Sequence, residues 1–352
     1  HSDKVQEYNY KLFKSFVDPG NNGNFYEGVD GFRLDHMQDD LDGKGRLTNL
    51  FEVFWGPLIG RLKEVNPHLN FVAEQANWGS YGYEYLKKGH VDRVFAFNLQ
   101  KAISSFDKAN LIKAAHCTFN RMPTGKQQIV FIENHDMPRF STEVQHDPGK
   151  LRVGAVLNLF IGGVPAIYYG QELGMTGAGG NNKFGITDGN DIPQREAFEW
   201  NKSDSGQGMT LWYKDTGPWW DQTNLKPDDG ISLEEEKDDP NSLYNFYRSL
   251  LHIRKSHVAL GTGRFKNLEN DNPEVFSFTR YHSKKAVVVV VNLSGELQSV
   301  TITLEKSNFS TGFVSLYGKL NFSMASGQLS GELSPYSIDI LELISRSKRN
   351  NG

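Results

Sequence analysis

The sequence predicts an α/β fold of strand–helix units followed by a small antiparallel β-domain. Three observations carry this expectation. Apolar runs of strand length alternate with segments of helical periodicity between residues 5 and 256. Three of those runs deliver acids at their C-terminal ends: Gly31-Phe32-Arg33-Leu34-Asp35, Phe71-Val72-Ala73-Glu74, and Ile129-Val130-Phe131-Ile132-Glu133-Asn134-His135-Asp136. Parallel β/α architectures place functional groups at that end of their strands. From about Gly263 the texture changes to short strand-like runs at regular intervals, separated by turn residues.

Val5, Tyr8, Leu12, Phe13 and Phe16 stand near helical spacing, which predicts a helix over 5–17. Asp18 to Gly23 is a loop by composition. Strands are expected at Val29–Leu34, Phe71–Ala73, Val91–Phe97, Ile129–Ile132 and Val164–Tyr169. Helices are expected at Leu47–Val65, Tyr83–Lys88, 100–119 and 149–161, with a further helix at Ser242–Ser256 after a long irregular loop over 170–241. Later runs at Val275–Arg280, Ala286–Asn292, Val300–Leu304 and Ser337–Leu341 predict an antiparallel β-sandwich.

Five parallel units cannot close a barrel that needs eight strands. An open side would leave an apolar interior and unpaired strand edges in water. The expectation is therefore a second chain or segment that supplies the rest; an open doubly wound sheet is the alternative. The organisation expected is strand–helix units over 1–260 (a partial barrel, by the family resemblance given below), a β-sandwich over 261–345 and a disordered tail over 346–352.

Composition narrows the class without deciding it. At 352 residues the chain is long enough for about two domains with real cores. A net charge of −4 offers no electrostatic footprint for nucleic acid, and a neutral polysaccharide needs none. The single cysteine, Cys117, excludes an internal disulfide. No apolar run approaches the roughly 20 residues of a membrane span. His1-Ser2-Asp3-Lys4 carries no apolar signal-peptide core.

In a strand, positions two apart share a face, so Arg33 and Asp35 are expected side by side. A guanidinium there orients a carboxylate and favours its ionised form, as nucleophilic chemistry requires. Glu74 follows three apolar residues, where desolvation raises a carboxyl toward roughly 6 and suits it to proton donation. Asp136 is a third acid, with His135 beside it. Each residue alone has an ordinary structural explanation; the repeated device points to catalysis.

These segments resemble, in order, three signature regions of the α-amylase superfamily, glycoside hydrolase family 13. Gly163-Val164-Pro165-Ala166-Ile167-Tyr168-Tyr169-Gly170-Gln171-Glu172 and Pro193-Gln194-Arg195-Glu196, with Phe198 and Trp200, resemble it as well. The resemblance implies that the five units are the fourth to eighth of a TIM (β/α)8 barrel, followed by the family's β-sandwich C domain. It implies a retaining α-glucan hydrolase acting on starch or maltooligosaccharides, with Asp35 as nucleophile, Glu74 as acid and base, and Asp136 as transition-state stabiliser. Arg33 and His135 would bind substrate, and Trp78, Tyr81 and Tyr83 would stack on sugar faces. No cofactor is required for the chemistry and no metal ligand is assigned; a structural calcium would come through the missing N-terminal half. A secreted or periplasmic location is expected.

The chain also departs from the family. His36-Met37-Gln38-Asp39-Asp40 stands where many relatives carry small residues and then Lys-His, so the usual lysine contact and calcium-supporting histidine are absent. The family's first signature, which ends in Asn-His on the third strand, is absent too. An α-glucosidase, a neopullulanase or a transglycosylase remains open within the fold. From another class, a non-catalytic glucan- or partner-binding relative would be marked by lost acids, and an inactive fragment by recovery of activity with the missing half.

Overall fold

Parallel strands form at the expected apolar runs, and antiparallel sheets follow them. A computed structural model describes residues 2–179, 183–220, 227–304, 309–319 and 321–345. In chain order the elements are α1 (Asp3–Val17), β1 (Gly31–Met37), α2 (Gly56–Val65), β2 (Asn70–Gln75), α3 (Tyr83–Lys87), β3 (Arg93–Phe95), α4 (Phe97–Ser105), α5 (Lys108–Asn120) and β4 (Gln127–Val130). Then come α6 (Phe140–Glu143), α7 (Pro148–Phe160), β5 (Val164–Pro165), α8 (Leu233–Glu236), α9 (Leu243–Ser256) and α10 (Val258–Thr262). Eight strands complete the chain: β6 (Arg264–Asn267), β7 (Val275–His282), β8 (Lys285–Asn292), β9 (Gln298–Thr303), β10 (Phe309–Tyr317), β11 (Phe322–Ala325), β12 (Gln328–Leu333) and β13 (Ile338–Ser345).

The chain divides into two compact units, His1–Asn98 with Cys117–Ile129, and Leu99–His116 with Val130–Gly352. In the first, β1 pairs with β2, β2 with β3 and β3 with β4, all parallel. Gly31 is required at the start of β1, because a Cβ there would lie 1.9 Å from the Asn70 carbonyl oxygen. Phe32 and Phe71 stack across the ladder at 5.6 Å, over a core that includes Leu34, Ile59, Leu62, Leu86 and Val94. The register of β1 against β2 shifts between Leu34 and Met37, and His36 there has φ 47. Such a bulge re-aims the side chains at a strand end. Among the described residues β1 pairs with β2 alone.

Several expected boundaries move, each for a local reason. The helix expected from Leu47 begins instead with a wide turn at Phe51–Trp55, closed by Gly56 N–H to the Phe51 carbonyl. Pro57 has no N–H for a regular turn, and the ladder widens ahead of it. The single helix expected over 100–119 is broken at Phe106, which has φ 50. Asp107 restarts it by accepting the Asn110 N–H at 2.7 Å, an N-cap that competes with continuation. The strand expected over Val164–Tyr169 is only Val164–Pro165, since Pro165 cannot donate to a ladder; Ala166 N–H reaches the Val130 carbonyl at 2.7 Å.

In the second unit, β10-β13-β8-β7-β6 form one antiparallel sheet and β11-β12-β9 another. Val288, Val290, Leu341 and Leu343 of the first pack on Val300, Ile302, Leu329 and Leu333 of the second. Strands β6, β10, β11 and β12 were not expected, because their Gly, Ser and Lys content hides the alternation. Buried Arg280 of β7 donates to the carbonyls of Phe160 at 2.8 Å and Gly263 at 2.6 Å, joining the sheet to the end of α7.

The acidic run Glu234-Glu235-Glu236 is itself a helical turn, capped by the Ser232 hydroxyl. Glu236 is buried and accepts the Tyr244 N–H at 2.8 Å at the start of α9; burial pushes its carboxyl up to about 7 against that bond. Trp219 packs on Phe184 and Gly189, and Trp220 on Tyr213, within the long loop. The expected tail over 346–352 lies outside the described residues. No helix among the described residues is long and apolar enough to cross a membrane.

Candidate active site

The strand ends of the first unit bring Arg33, Asp35, Glu74 and Trp78 together. Arg33 contacts both acids: Nη1 donates to Asp35, and Nη2 donates to Glu74 Oε2 at 2.7 Å. The backbone N–H of His36, turned inward by the bulge, also faces Glu74 Oε2 at 3.3 Å. Trp78 Nε1 donates to the other oxygen, Oε1, at 3.3 Å. The two carboxyls differ sharply in environment: the Asp35 side chain is 74% exposed and that of Glu74 is 8% exposed. Three donors therefore immobilise a buried acid, while the guanidinium beside it orients an open one.

Trp78 stacks on Phe97 with rings 4.7 Å apart and 8° from parallel, which fixes its indole N–H toward Glu74. Tyr81 stacks on Tyr83 at 5.8 Å. Burial pushes its phenol up to about 12, and neighbouring Cys117 adds to this. Tyr83 donates to the Cys117 carbonyl. Asp35 and His36 also line a cavity of about 460 Å³ with Gln38, Leu41, Phe54 and Trp55.

In the second unit, His135 and Asp136 stand together. His135 Nε2 lies 3.1 Å from Asp136 Oδ2. Arg195 donates to Asp136 Oδ1 at 2.8 Å, to Asp191 at 3.0 Å and, through Nε, to the His135 carbonyl at 2.8 Å. The motif around Arg195 was visible in the sequence, but its grip on the Asn-His-Asp tip was not. Behind the tip, Glu133 accepts from Arg139 at 2.9 Å and from the Phe140 N–H at 2.6 Å. Burial pushes the Glu133 carboxyl up, against both of those partners. Among the described residues no group of three or more His, Cys, Asp or Glu side chains is placed to hold a metal ion.

Glu199 is buried nearby in the chain, and its carboxyl is pushed up to about 9, first by burial and then by Asp229 and Glu196. The folded protein therefore keeps a proton that the unfolded chain has released above its ordinary value of 4.5. Stability from this group is present at low pH and is lost as pH rises from about 4.5 through about 9. Glu199→Gln keeps the shape and removes the titration. At pH 8 it is expected to raise unfolding free energy by at least about 1 kcal/mol. Denaturant unfolding at pH 5 and pH 8 checks this, since an unchanged pH slope in the variant would exclude Glu199 as its source.

The description "Alpha amylase, catalytic domain" matches residues 61–263, and "Maltogenic Amylase, C-terminal domain" matches 265–340. The chain belongs to the α-amylase family. The family match begins after Asp35 and includes Glu74, His135 and Asp136. Alpha-amylase 3 of Dictyoglomus thermophilum is 28% identical over 302 residues, covering 83% of this family member and 54% of that protein. The 4-alpha-glucanotransferase of Thermotoga maritima is 28% identical over 284 residues, covering 76% and 56% respectively. The solved α-amylase of H. orenii superposes with a TM-score of 0.74 at 25% identity, over 97% of this chain and 64% of that one. The chain thus spans about half the length of the curated α-amylase-family relatives it matches.

Proposed function

We propose that the complete protein is a retaining α-glucan hydrolase of α-amylase type, cleaving α-1,4-glucosidic bonds of starch or maltooligosaccharides by double displacement. The observation that carries this is Arg33 joined to two carboxyls of opposite exposure at adjacent strand ends. Asp35, open to the cavity beside it, attacks the anomeric carbon. Glu74, buried at the adjacent strand end, takes up a proton when the Arg33 contact is given up to substrate, passes it to the leaving oxygen and then takes one from the incoming water. Retention requires these carboxyls to work about 5–5.5 Å apart. Asp136 and His135, at the tip in the second unit, would bind sugar hydroxyls. The chemistry needs two carboxyls and water and draws on no cofactor.

Proton NMR of the first product released from maltopentaose tests the stereochemistry. The α-anomer is expected, and an initial β-anomer would overturn the mechanism. A second reading is transglycosylation, favoured by the likeness to a 4-alpha-glucanotransferase. There a sugar hydroxyl replaces water at the same intermediate, and longer oligosaccharides appear among the products.

Arg195 tethers Asp136, Asp191 and the His135 carbonyl, so its loss should misplace the tip that holds the sugar. Arg195→Met is expected to lower kcat/KM about 10–100-fold, the equivalent of one or two charge-assisted hydrogen bonds. Steady-state kinetics checks this, and a change under twofold would remove Arg195 from the site.

A further inference from the structure

A cavity of about 490 Å³ in the second unit, lined by the end of β10, the start of β13 and one side chain of α7, is not used by the chemistry above. None of the acids at the strand tips lines it. We propose that this cavity is a second, non-catalytic binding site for a stretch of neutral α-glucan. The proposal rests on the functional reading above for the identity of the sugar.

Two half-buried tyrosines line the cavity, and each is braced from outside it. Tyr317 packs on Phe246 with ring centres 5.4 Å apart. Tyr336 meets Phe106 edge-on at 6.3 Å. A braced aromatic ring offers an apolar surface at little cost in conformational freedom, which suits the C–H face of a pyranose. Hydrogen-bonding groups of both kinds surround the rings: Arg152 and Lys319 donate, the Asp339 carboxylate accepts, and the Asn321 amide does both.

Vicinal sugar hydroxyls also donate and accept, so a mixed set matches them. An anion would have to sit against Asp339. The guanidinium of Arg152 is fixed over the Phe246 ring at 4.7 Å and donates to the Asn241 carbonyl, so the polar wall is preorganised. Gly318 has φ 107, and a Cβ there would lie 2.1 Å from Asp339 Oδ1. The backbone therefore closes tightly on that carboxylate and keeps it at the wall of the cavity.

Isothermal titration of the full-length Glu74→Gln protein with maltoheptaose, with cellopentaose as control, tests the site. Two classes of maltoheptaose site are expected, and Tyr317→Ala with Asn321→Ala should weaken one of them at least tenfold. Turnover of a short chromogenic maltoside by the same pair in the active protein should stay within twofold, while hydrolysis of granular starch falls at least threefold. If the tyrosine variant fails to fold, Lys319→Ala with Asn321→Ala, at exposed positions, should still weaken that site at least threefold. Unchanged binding in the folded variants, or equal binding of cellopentaose, would overturn the proposal. Absence of maltoside turnover in the unsubstituted protein would sink the functional reading instead, and the titration would still report on this cavity.

Discussion

Asp35→Asn in the catalytically competent protein is expected to lower kcat on maltooligosaccharides by on the order of 10⁴ or more. An amide keeps the volume and a hydrogen-bonding oxygen for Arg33, but it has no carboxylate to form the glycosyl intermediate. Because Asp35 is largely exposed, the thermal unfolding midpoint should scarcely move, which separates lost chemistry from lost fold. Glu74→Gln should behave differently. Turnover of ordinary glucosides falls by about 10²–10⁴, the usual contribution of a general acid. A maltosyl fluoride, whose leaving group needs no proton, should still load the enzyme and let mass spectrometry detect the covalent intermediate on Asp35. Near-normal kcat in Asp35→Asn, or label on another residue, would show that the nucleophile lies elsewhere.

The second large effect concerns what covers β1. Among the described residues that strand pairs with β2 alone, and α1 presents Val5 at 53%, Tyr8 at 67% and Phe16 at 51% exposure. We propose that three more strand–helix units, on a second polypeptide or a further segment, pair with this edge and bury that face. The 352-residue chain by itself is then expected to self-associate, because an open edge and an apolar face both seek partners. Addition of three such units should yield a single cooperative species of defined mass. Size exclusion with light scattering, followed by thermal unfolding, is the check. A chain that alone stays monomeric at tens of micromolar and unfolds sharply would refute the need for them.

Much of the geometry of the candidate site was legible in the sequence, because its residues lie in short local runs. Period-two alternation put Arg33 beside Asp35, and the apolar residues before Glu74 announced a buried acid; the structure places both so. The helices at α1, α3, α7 and α9 follow from hydrophobic periodicity and appear within a few residues of expectation. Family membership was legible for the same reason, since ordered motifs survive without any knowledge of packing.

Other features depend on neighbours far away in the chain. Arg33 bridging to Glu74, Arg195 reaching His135 and Asp136, and Arg280 capping the Phe160 carbonyl of α7 join residues 41 to 120 positions apart. No local pattern encodes such pairs, because each follows from how separate elements pack. Glu236 is buried because α9 begins against it. Strands β10 to β12 carry weak alternation, since the sheet that buries one face supplies the signal their sequence lacks. The sequence alone thus singled out the candidate acids and placed Asp35 and Glu74 at strand ends, whereas Asp136 lies beyond the end of β4. The tertiary structure decided which of them are buried and which arginine holds each acid, because burial and long-range hydrogen bonds are properties of the packed chain.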